Sequence, residues 1–365
     1  MRIVTVIDVL SSGGAQRQIV NLSKGLSANG HNVTLFYARD QRWRLDELHD
    51  AGVETVNITS KNPLLFIWGL IKIIKLRNVD VLISFLTSTS ILTVIAYLFS
   101  SRKPKLIVSE RNALAGSLTP FRLKVALFLY RYSDFVVTNA NHARKEIEDY
   151  SSTIAKKTRT IWNGVDLSRL DLVPTKKRSN PIQLLAMGTL DPFKGQSVLV
   201  EALSLLKSRH NLHVDVTWAI RRSNNLMPHE IKHKEALDFR LSELKLTDQW
   251  RWLDEQEDVI AILNNCDFLA HPSIRDGLPN SVCEALAAGK PVIAADILDG
   301  PQLLNEGRNG FLFEAENPES LADALLKAAN MTDEEFFSMS IAAKEFAKDR
   351  LSTGSLVSNY EALIS

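Results

Sequence analysis

The sequence predicts an α/β protein made of two doubly wound, parallel-sheet domains, and three observations support this. Continuous apolar runs rich in β-branched residues, such as Ile3–Val9, recur along the chain and mark strands covered on both faces. Between them lie segments with apolar residues at helical spacing, as with Ala15, Ile19, Leu22 and Leu26. The stretch His271–Leu304 repeats that plan far down the chain. It follows the apolar strand Asp267–Ala270, then runs through a loop, a helix with Val282, Ala285 and Leu286 on its apolar face, and a strand Pro291–Ala295. At 365 residues the chain has room for two ordinary domains.

Composition is that of a soluble globular protein, and a formal net charge of +1 gives no reason to expect nucleic acid as a partner. Two cysteines, Cys266 and Cys283, read as buried thiols rather than a disulfide framework or a metal site, which suits a reducing cytoplasm. The N-terminal residues lack the pattern of a signal peptide. Val81–Phe99 is uncharged for about the length of a membrane span, but Leu86-Thr-Ser-Thr-Ser90 at its centre marks a strand end and a helix cap. The expectation is a buried strand Val79–Phe85 followed by a buried helix Ser90–Phe99.

In order, Ile3–Val9 leads through Ser11-Ser12-Gly13-Gly14 into a helix and the strand Val33–Tyr37. The glycines let a ligand approach the backbone closely. Val53–Ile58 and Val79–Phe85 continue the strands. Leu64–Arg77 is nearly apolar all round, with Lys72, Lys75 and Arg77. It reads either as a core helix with snorkelling lysines or as an interfacial helix lying on a bilayer. Leu106–Ser109 delivers Glu110, Arg111 and Asn112 into a loop, three polar groups at a strand's C-terminal end. The helix Leu123–Tyr132, the strand Phe135–Asn139 and the helix His142–Tyr150 complete a first domain of six strands. Residues 173–181 are polar, basic and proline-bounded, as in a linker.

The second domain opens with Ile182–Met187 and the loop Gly188-Thr189-Leu190-Asp191-Pro192-Phe193-Lys194-Gly195. A lysine in a glycine loop at a strand–helix junction suits a phosphate. His213–Ala219, a helix Asp258–Asn264 and helices Pro318–Ala328, Glu334–Arg350 and Ser355–Ile364 follow. In the organising stretch a helix N-terminus opens beyond a strand's C-terminal end, with Asp276, Gly277, Leu278, Pro279 and Asn280 in the loop. In a parallel sheet that is a ligand crevice, and free N–H groups with a helix dipole behind them favour a phosphate. Asp276 and Glu284, with seven residues between them, can face one pocket. Carboxylates beside a phosphate site suit hydroxyls, such as those of a sugar and a ribose.

Asp276-Gly277-Leu278-Pro279, Glu284-Ala285-Leu286 and Gly289-Lys290-Pro291-Val292-Ile293-Ala294 together resemble the donor-site signature of the retaining glycosyltransferases of family 4. The likeness extends to Gly13-Gly14-Ala15-Gln16-Arg17, to Ser109-Glu110-Arg111-Asn112, found in one branch of the family, and to Asn163-Gly164-Val165-Asp166. It implies a GT-B fold, two Rossmann-like domains facing a central cleft. Residues 1–165 would be the acceptor-binding domain, 166–350 the donor-binding domain, and 351–365 a helix crossing back to the first.

The implied activity is transfer of a sugar from a nucleoside-diphosphate sugar, with a UDP-sugar favoured, to a glycan or polyprenyl-linked acceptor. Anomeric configuration is retained, in polysaccharide or lipopolysaccharide assembly in the cytoplasm or on the inner face of the membrane. Lys194, Asp276 and Glu284 are the catalytic candidates. Lys194 and backbone N–H groups around Gly277–Asn280 would stabilise the leaving diphosphate, Asp276 would hold sugar hydroxyls and Glu284 the ribose diol. Gly13, Gly14, Gly188, Thr189, Leu278 and Pro279 complete the expected donor site, and Arg17, Glu110, Arg111 and Asn112 are acceptor-side candidates. No cofactor and no metal is expected, and no Asp-x-Asp motif occurs.

Three departures from the family pattern bear on the donor site. Asp276 stands for the usual Glu, Thr189 for an arginine on the diphosphate, and Ile220-Arg221-Arg222-Ser223-Asn224 for a Gly-x-Gly-Pro turn. Arg221 or Arg222 either supplies the missing cation or belongs to a solvated pair. A non-catalytic subunit with weakened donor binding and a sugar-nucleotide epimerase are the alternative readings.

Overall fold

The computed structural model describes every residue except 12, 40–42, 112–119, 171–176, 221–225, 255–258 and 277. The chain divides into two compact units, Met1–Asp166 with Leu351–Ser365, and Leu167–Arg350.

The first unit has seven parallel strands: β1 (Arg2–Val9), β2 (Asn32–Arg39), β3 (Glu54–Asn57), β4 (Val81–Phe85), β5 (Lys105–Glu110), β6 (Phe135–Thr138) and β7 (Thr158–Thr160). Their order is β3-β2-β1-β4-β5-β6-β7, so the winding reverses between β1 and β4. Strands β1 and β4 are apolar on both pleats because both faces are covered. Helices Gly14–Ala28 and Thr353–Ile364 cover one face through Ile19, Leu22, Leu26, Val357 and Tyr360. Helices Pro63–Leu76, Thr87–Phe99 and Pro120–Tyr130 cover the other through Phe66, Leu70, Ile74, Val94 and Ala126. The C-terminal helix lies tightly on the first one: a Cβ on Gly25 would fall 2.3 Å from Val357 Cγ2.

The second unit has six parallel strands: β8 (Ile182–Gly188), β9 (Val214–Ile220), β10 (Trp250–Leu253), β11 (Phe268–His271), β12 (Val292–Ala295) and β13 (Gly310–Phe313). Their order β10-β9-β8-β11-β12-β13 is the doubly wound Rossmann arrangement, reversing between β8 and β11. Trp218 and Trp250 stack in its core at 5.9 Å and 13°.

Two strands and a helix are among the elements beyond those expected from the sequence. β7 is a seventh strand where six were expected in the first unit; Thr158-Arg159-Thr160 is short and polar because it pairs on one side only, with β6. β10 reads as alternation of tryptophan with Arg251. Helix Pro228–Glu243 is polar on most sides but has Pro228 at its start, Glu230 accepting from Met227 N at 2.9 Å, and Leu237 and Leu241 buried one turn apart.

The stretch Val81–Phe99 is strand plus helix, and among the described residues no helix is long and apolar enough to cross a membrane. Its helix starts at Thr87, before the expected cap Ser90, whose Oγ bonds Ser84 Oγ at 2.9 Å instead. Helix Pro63–Leu76 is not an all-round core helix: Phe66, Leu70, Ile73 and Ile74 are buried, while Leu64, Leu65, Trp68 and Leu76 are exposed.

Candidate active site

In the second unit the loops after β8 and β11 are joined by short backbone ties. After Gly188, Asp191 Oδ1 accepts from Phe193 N at 3.0 Å and starts a single 3-10 turn, Pro192–Lys194. Phe193 O then accepts from Ile274 N at 3.0 Å and from Ser273 Oγ at 3.2 Å. Gly195 ends the turn at φ +78°, and a Cβ there would lie 2.2 Å from Pro272 O. Both the left-handed backbone and the close approach demand glycine. These contacts sit where the strand order reverses, the position at which open α/β sheets bind ligands.

The result is that Lys194 meets Asp276, 82 residues away in sequence, with Nζ donating to Oδ2 at 2.7 Å. The lysine stem runs past Gly188, where an added Cβ would meet it in ordinary van der Waals contact at 3.5 Å. His271, at the end of β11, brings Nε2 to 3.3 Å from the same carboxylate oxygen. The Lys194 and Asp276 side chains are 22% and 25% exposed, so the pair is screened yet open to solvent. Burial alone would raise the Asp276 carboxyl. The hydrogen bond and charge of His271, followed by the charge of Lys194, overcome that and hold it far below the usual carboxylate range.

Beyond Asp276, Leu278 is buried and Pro279 stands at the N-cap of helix Asn280–Ala287. That helix has no side-chain cap hydrogen bond and no acid in its first turn. Its N-terminal end therefore attracts an anion. A cavity lined by His271, Asp276, Pro279, Val282, Ala294 and Leu298 opens beside it. Glu284 does not line this cavity. It is half-buried in the second turn of the helix, where, after burial itself, its charge pushes up the Cys283 thiol. Thr189 offers its carbonyl to Gln196 Nε2 at 2.9 Å. Lys290 is buried and donates to Cys266 O at 2.8 Å, so this cation holds the fold together. Arg221, Arg222 and Gly277 lie outside the described residues, as does Asn112 in the first unit.

In the first unit Gly13 stands at the N-cap of helix Gly14–Ala28, and Arg17, half-buried in its first turn, donates its N–H to Gly13 O at 3.0 Å. Glu110 and Arg111, expected on the acceptor side, are only 1% and 5% exposed. Glu110 accepts from Tyr130 Oη and, at 2.7 Å, from Thr87 Oγ1. Arg111 donates to Tyr360 Oη at 2.7 Å and to Asn163 Oδ1 at 3.2 Å, with its guanidinium 4.2 Å from the Phe85 ring centre. Both charged groups are therefore engaged inside the unit. His271 is the residue that sequence reasoning missed. Its only signal was an imidazole at the end of an apolar strand, immediately before Pro272.

Residues 181–331 match the family model described as Glycosyl transferases group 1, and residues 12–169 match Glycosyltransferase Family 4. One relative is the N-acetylgalactosamine-N,N'-diacetylbacillosaminyl-diphospho-undecaprenol 4-alpha-N-acetylgalactosaminyltransferase of Campylobacter jejuni. It is 25% identical over 339 residues, 87% of each chain. The GalNAc-alpha-(1->4)-GalNAc-alpha-(1->3)-diNAcBac-PP-undecaprenol alpha-1,4-N-acetyl-D-galactosaminyltransferase of the same organism is 24% identical, over 92% of this chain and 90% of its own. Among solved structures, Anabaena HepE in complex with UDP superposes with a TM-score of 0.83 at 18% identity, covering 99% of both chains.

Proposed function

The chain belongs to the family 4 glycosyltransferases of the GT-B fold, and from that premise we propose that it moves a sugar from a UDP-sugar to a lipid-linked or glycan acceptor, with retention of anomeric configuration and no metal ion. The Lys194–Asp276 pair at the reversal point of the second sheet is the observation that carries this reading. Without ligand, the ammonium and the carboxylate satisfy one another. When a nucleotide sugar enters, Lys194 turns to the diphosphate, and Asp276 is released to accept from the sugar hydroxyls.

Cleavage of the sugar–phosphate bond places negative charge on the departing diphosphate. Lys194 and the N-terminal end of helix Asn280–Ala287 stabilise that charge as it develops. Asp276, ionised at neutral pH, sits beside the ring that becomes electron-poor, and Glu284 takes the ribose diol. Leaving-group oxygen accepts the proton of the incoming hydroxyl on the same face, which gives retention. Relatives acting on undecaprenol diphosphate substrates support a lipid-linked acceptor, reached at the cytoplasmic face of a membrane through the N-terminal unit.

Titration with UDP-sugars, followed by melting temperature, tests the donor site, since a ligand of the folded state raises it. Lys194→Ala should weaken UDP binding roughly ten- to hundredfold, the weight of a charge-assisted hydrogen bond. Transfer insensitive to a chelator, with a retained anomer by NMR, completes the test. If neither UDP nor any UDP-sugar shifts the parent protein, the reading is wrong.

A further inference from the structure

The cavity beside helix Asn280–Ala287 has a divided lining. Its polar side carries His271 and Asp276, together with Ser273. The Ser273 hydroxyl is engaged with Phe193 O and Arg275 O, both at 3.2 Å, so His271 and Asp276 are left to meet a ligand. The other walls are apolar: Val282 from the helix, Ala294 from β12, and Leu298 and Leu303 from the segment that follows. Val282, Ala294 and Leu303 are buried, so these walls are fixed by the packing of the unit.

Leu298 is different. It is half-buried and held at φ +56°. That left-handed backbone strains a bulky side chain and suits glycine. Such an outlier points to a use for the side chain itself, and what this leucine forms is a wall of the cavity. Asp276 adds room on the polar side, since it stands where the family pattern has glutamate, one methylene longer. A sugar hydroxyl pressed against the apolar walls would lose water without gaining a partner. An anionic substituent would face Asp276 and Asp299, which also lines the cavity. A group with a short polar link and an apolar end satisfies both sides. The cavity shares Pro279 and Val282 with the helix whose N-terminal end attracts the diphosphate. On a sugar bonded to that diphosphate through its anomeric carbon, the neighbouring C2 carries the substituent that stays close by.

Resting on the UDP-sugar reading of this site, we propose that the donor carries a 2-acetamido-2-deoxyhexose and that this cavity holds its acetamido group. The amide N–H donates to the Asp276 carboxylate, and the amide oxygen accepts from His271 Nε2. That nitrogen faces a carboxylate at 3.3 Å and so carries the imidazole proton. The methyl lies against Val282, Ala294 and Leu298. Leu298 thus sets which sugar is accepted and takes no part in breaking the sugar–phosphate bond.

Calorimetric titration of the full chain with UDP, UDP-glucose, UDP-galactose and the N-acetylated form of each sugar nucleotide tests the proposal. For whichever epimer binds, the acetamido form should bind about tenfold or more tightly than its parent hexose, the discrimination that an apolar pocket achieves for one small group. Leu298→Gly removes a wall where the backbone suits glycine, and Ala294→Val narrows the cavity from β12. In each variant the ratio of acetamido to hexose affinity should fall roughly fivefold or more. A general loosening of the fold would weaken all ligands alike and leave that ratio unchanged. A ratio near one in the parent overturns the proposal, as does a ratio that neither variant alters. A 6-deoxy UDP-sugar bound more tightly than the acetamido sugar would assign the cavity to a methyl at C6 and overturn it too. In each of these outcomes UDP still binds and the donor reading stands; if UDP itself fails to bind, both readings fall.

Discussion

The two sheets share a winding order but treat their carboxyl edges in opposite ways. At the edge of the first, charge is locked inside: Arg111 ties Asn163 to Tyr360 of the C-terminal helix, and Tyr360 Oη also donates to Ser109 Oγ at 3.1 Å. Gly164 is held by Gln18 through its N–H at 2.7 Å and its carbonyl at 3.0 Å. At the edge of the second, Lys194, His271 and Asp276 converge but stay open to solvent. One edge is a joint built from polar groups, the other a site with its charges poised for exchange. Equivalent topological positions therefore do not carry equivalent chemistry, and substitutions at the two edges should separate stability from ligand affinity.

The largest effect belongs to Gly195→Val. A Cβ meets the Pro272 carbonyl at 2.2 Å and the backbone has φ +78°, so two penalties combine to about 3 kcal/mol or more. The loop carrying Lys194 must move away from Asp276, and UDP affinity should fall together with melting temperature. Gly164→Ala is the counterpart at the locked edge. Its Cβ would lie 2.9 Å from Leu356, costing about 1–3 kcal/mol of overpacking. It should lower the melting temperature yet leave the UDP dissociation constant of the folded protein where it was. A parallel loss of affinity in both variants would erase the distinction between the edges.

Tyr360→Phe follows in size. Removing the hydroxyl leaves the buried Arg111 guanidinium short of an acceptor, at about 1.5–3 kcal/mol. Denaturant unfolding should show that loss, with UDP affinity again unmoved. A shift in affinity would mean that the Arg111 joint communicates with the ligand site.

Partners close together in the sequence were legible and distant ones were not, for a physical reason. The motif from Asp276 to Glu284 is local, a loop and the helix it feeds, so spacing places Asp276 at the loop and Glu284 in the helix, though not in one cavity. The partners of Arg111 are Asn163 and Tyr360, 52 and 249 residues away. The run Ser109-Glu110-Arg111 carries no local sign of Tyr360, the C-terminal-helix residue that Arg111 meets. The strands β1, β4, β8 and β12 were legible because burial on both faces forces largely apolar runs. β7 and β10 lie at the sheet margins, where that demand lapses. His271 was not legible because its partner lies across a loop whose course depends on Pro272 packing against Gly195.

His271→Leu bears on the open edge with a smaller effect. The imidazole holds one oxygen of Asp276 at 3.3 Å, and its loss should free the carboxylate to swing, weakening UDP-sugar binding severalfold, or about 1 kcal/mol. Affinity for UDP itself should change less, because the diphosphate contact through Lys194 survives. Equal losses for UDP and the UDP-sugar would assign His271 to the phosphate rather than the sugar.

The locked edge offers the last test, through Glu110. Burial raises its carboxyl above the ordinary value of 4.5, against the opposing hydrogen bonds from Tyr130 and Thr87. A raised acid binds its proton more tightly in the folded state. The stability it lends is therefore complete below the unfolded value and is lost as pH climbs through the folded one. Glu110→Gln removes that titration while keeping an oxygen for Tyr130 and offering Thr87 an amide donor. Compared with the parent, the variant should gain in unfolding free energy between pH 4 and pH 8, with the gap widening toward the alkaline end. A gap that stays flat with pH would show that the buried carboxyl keeps its ordinary affinity for a proton, and the first edge would then be less tightly closed than its hydrogen bonds imply.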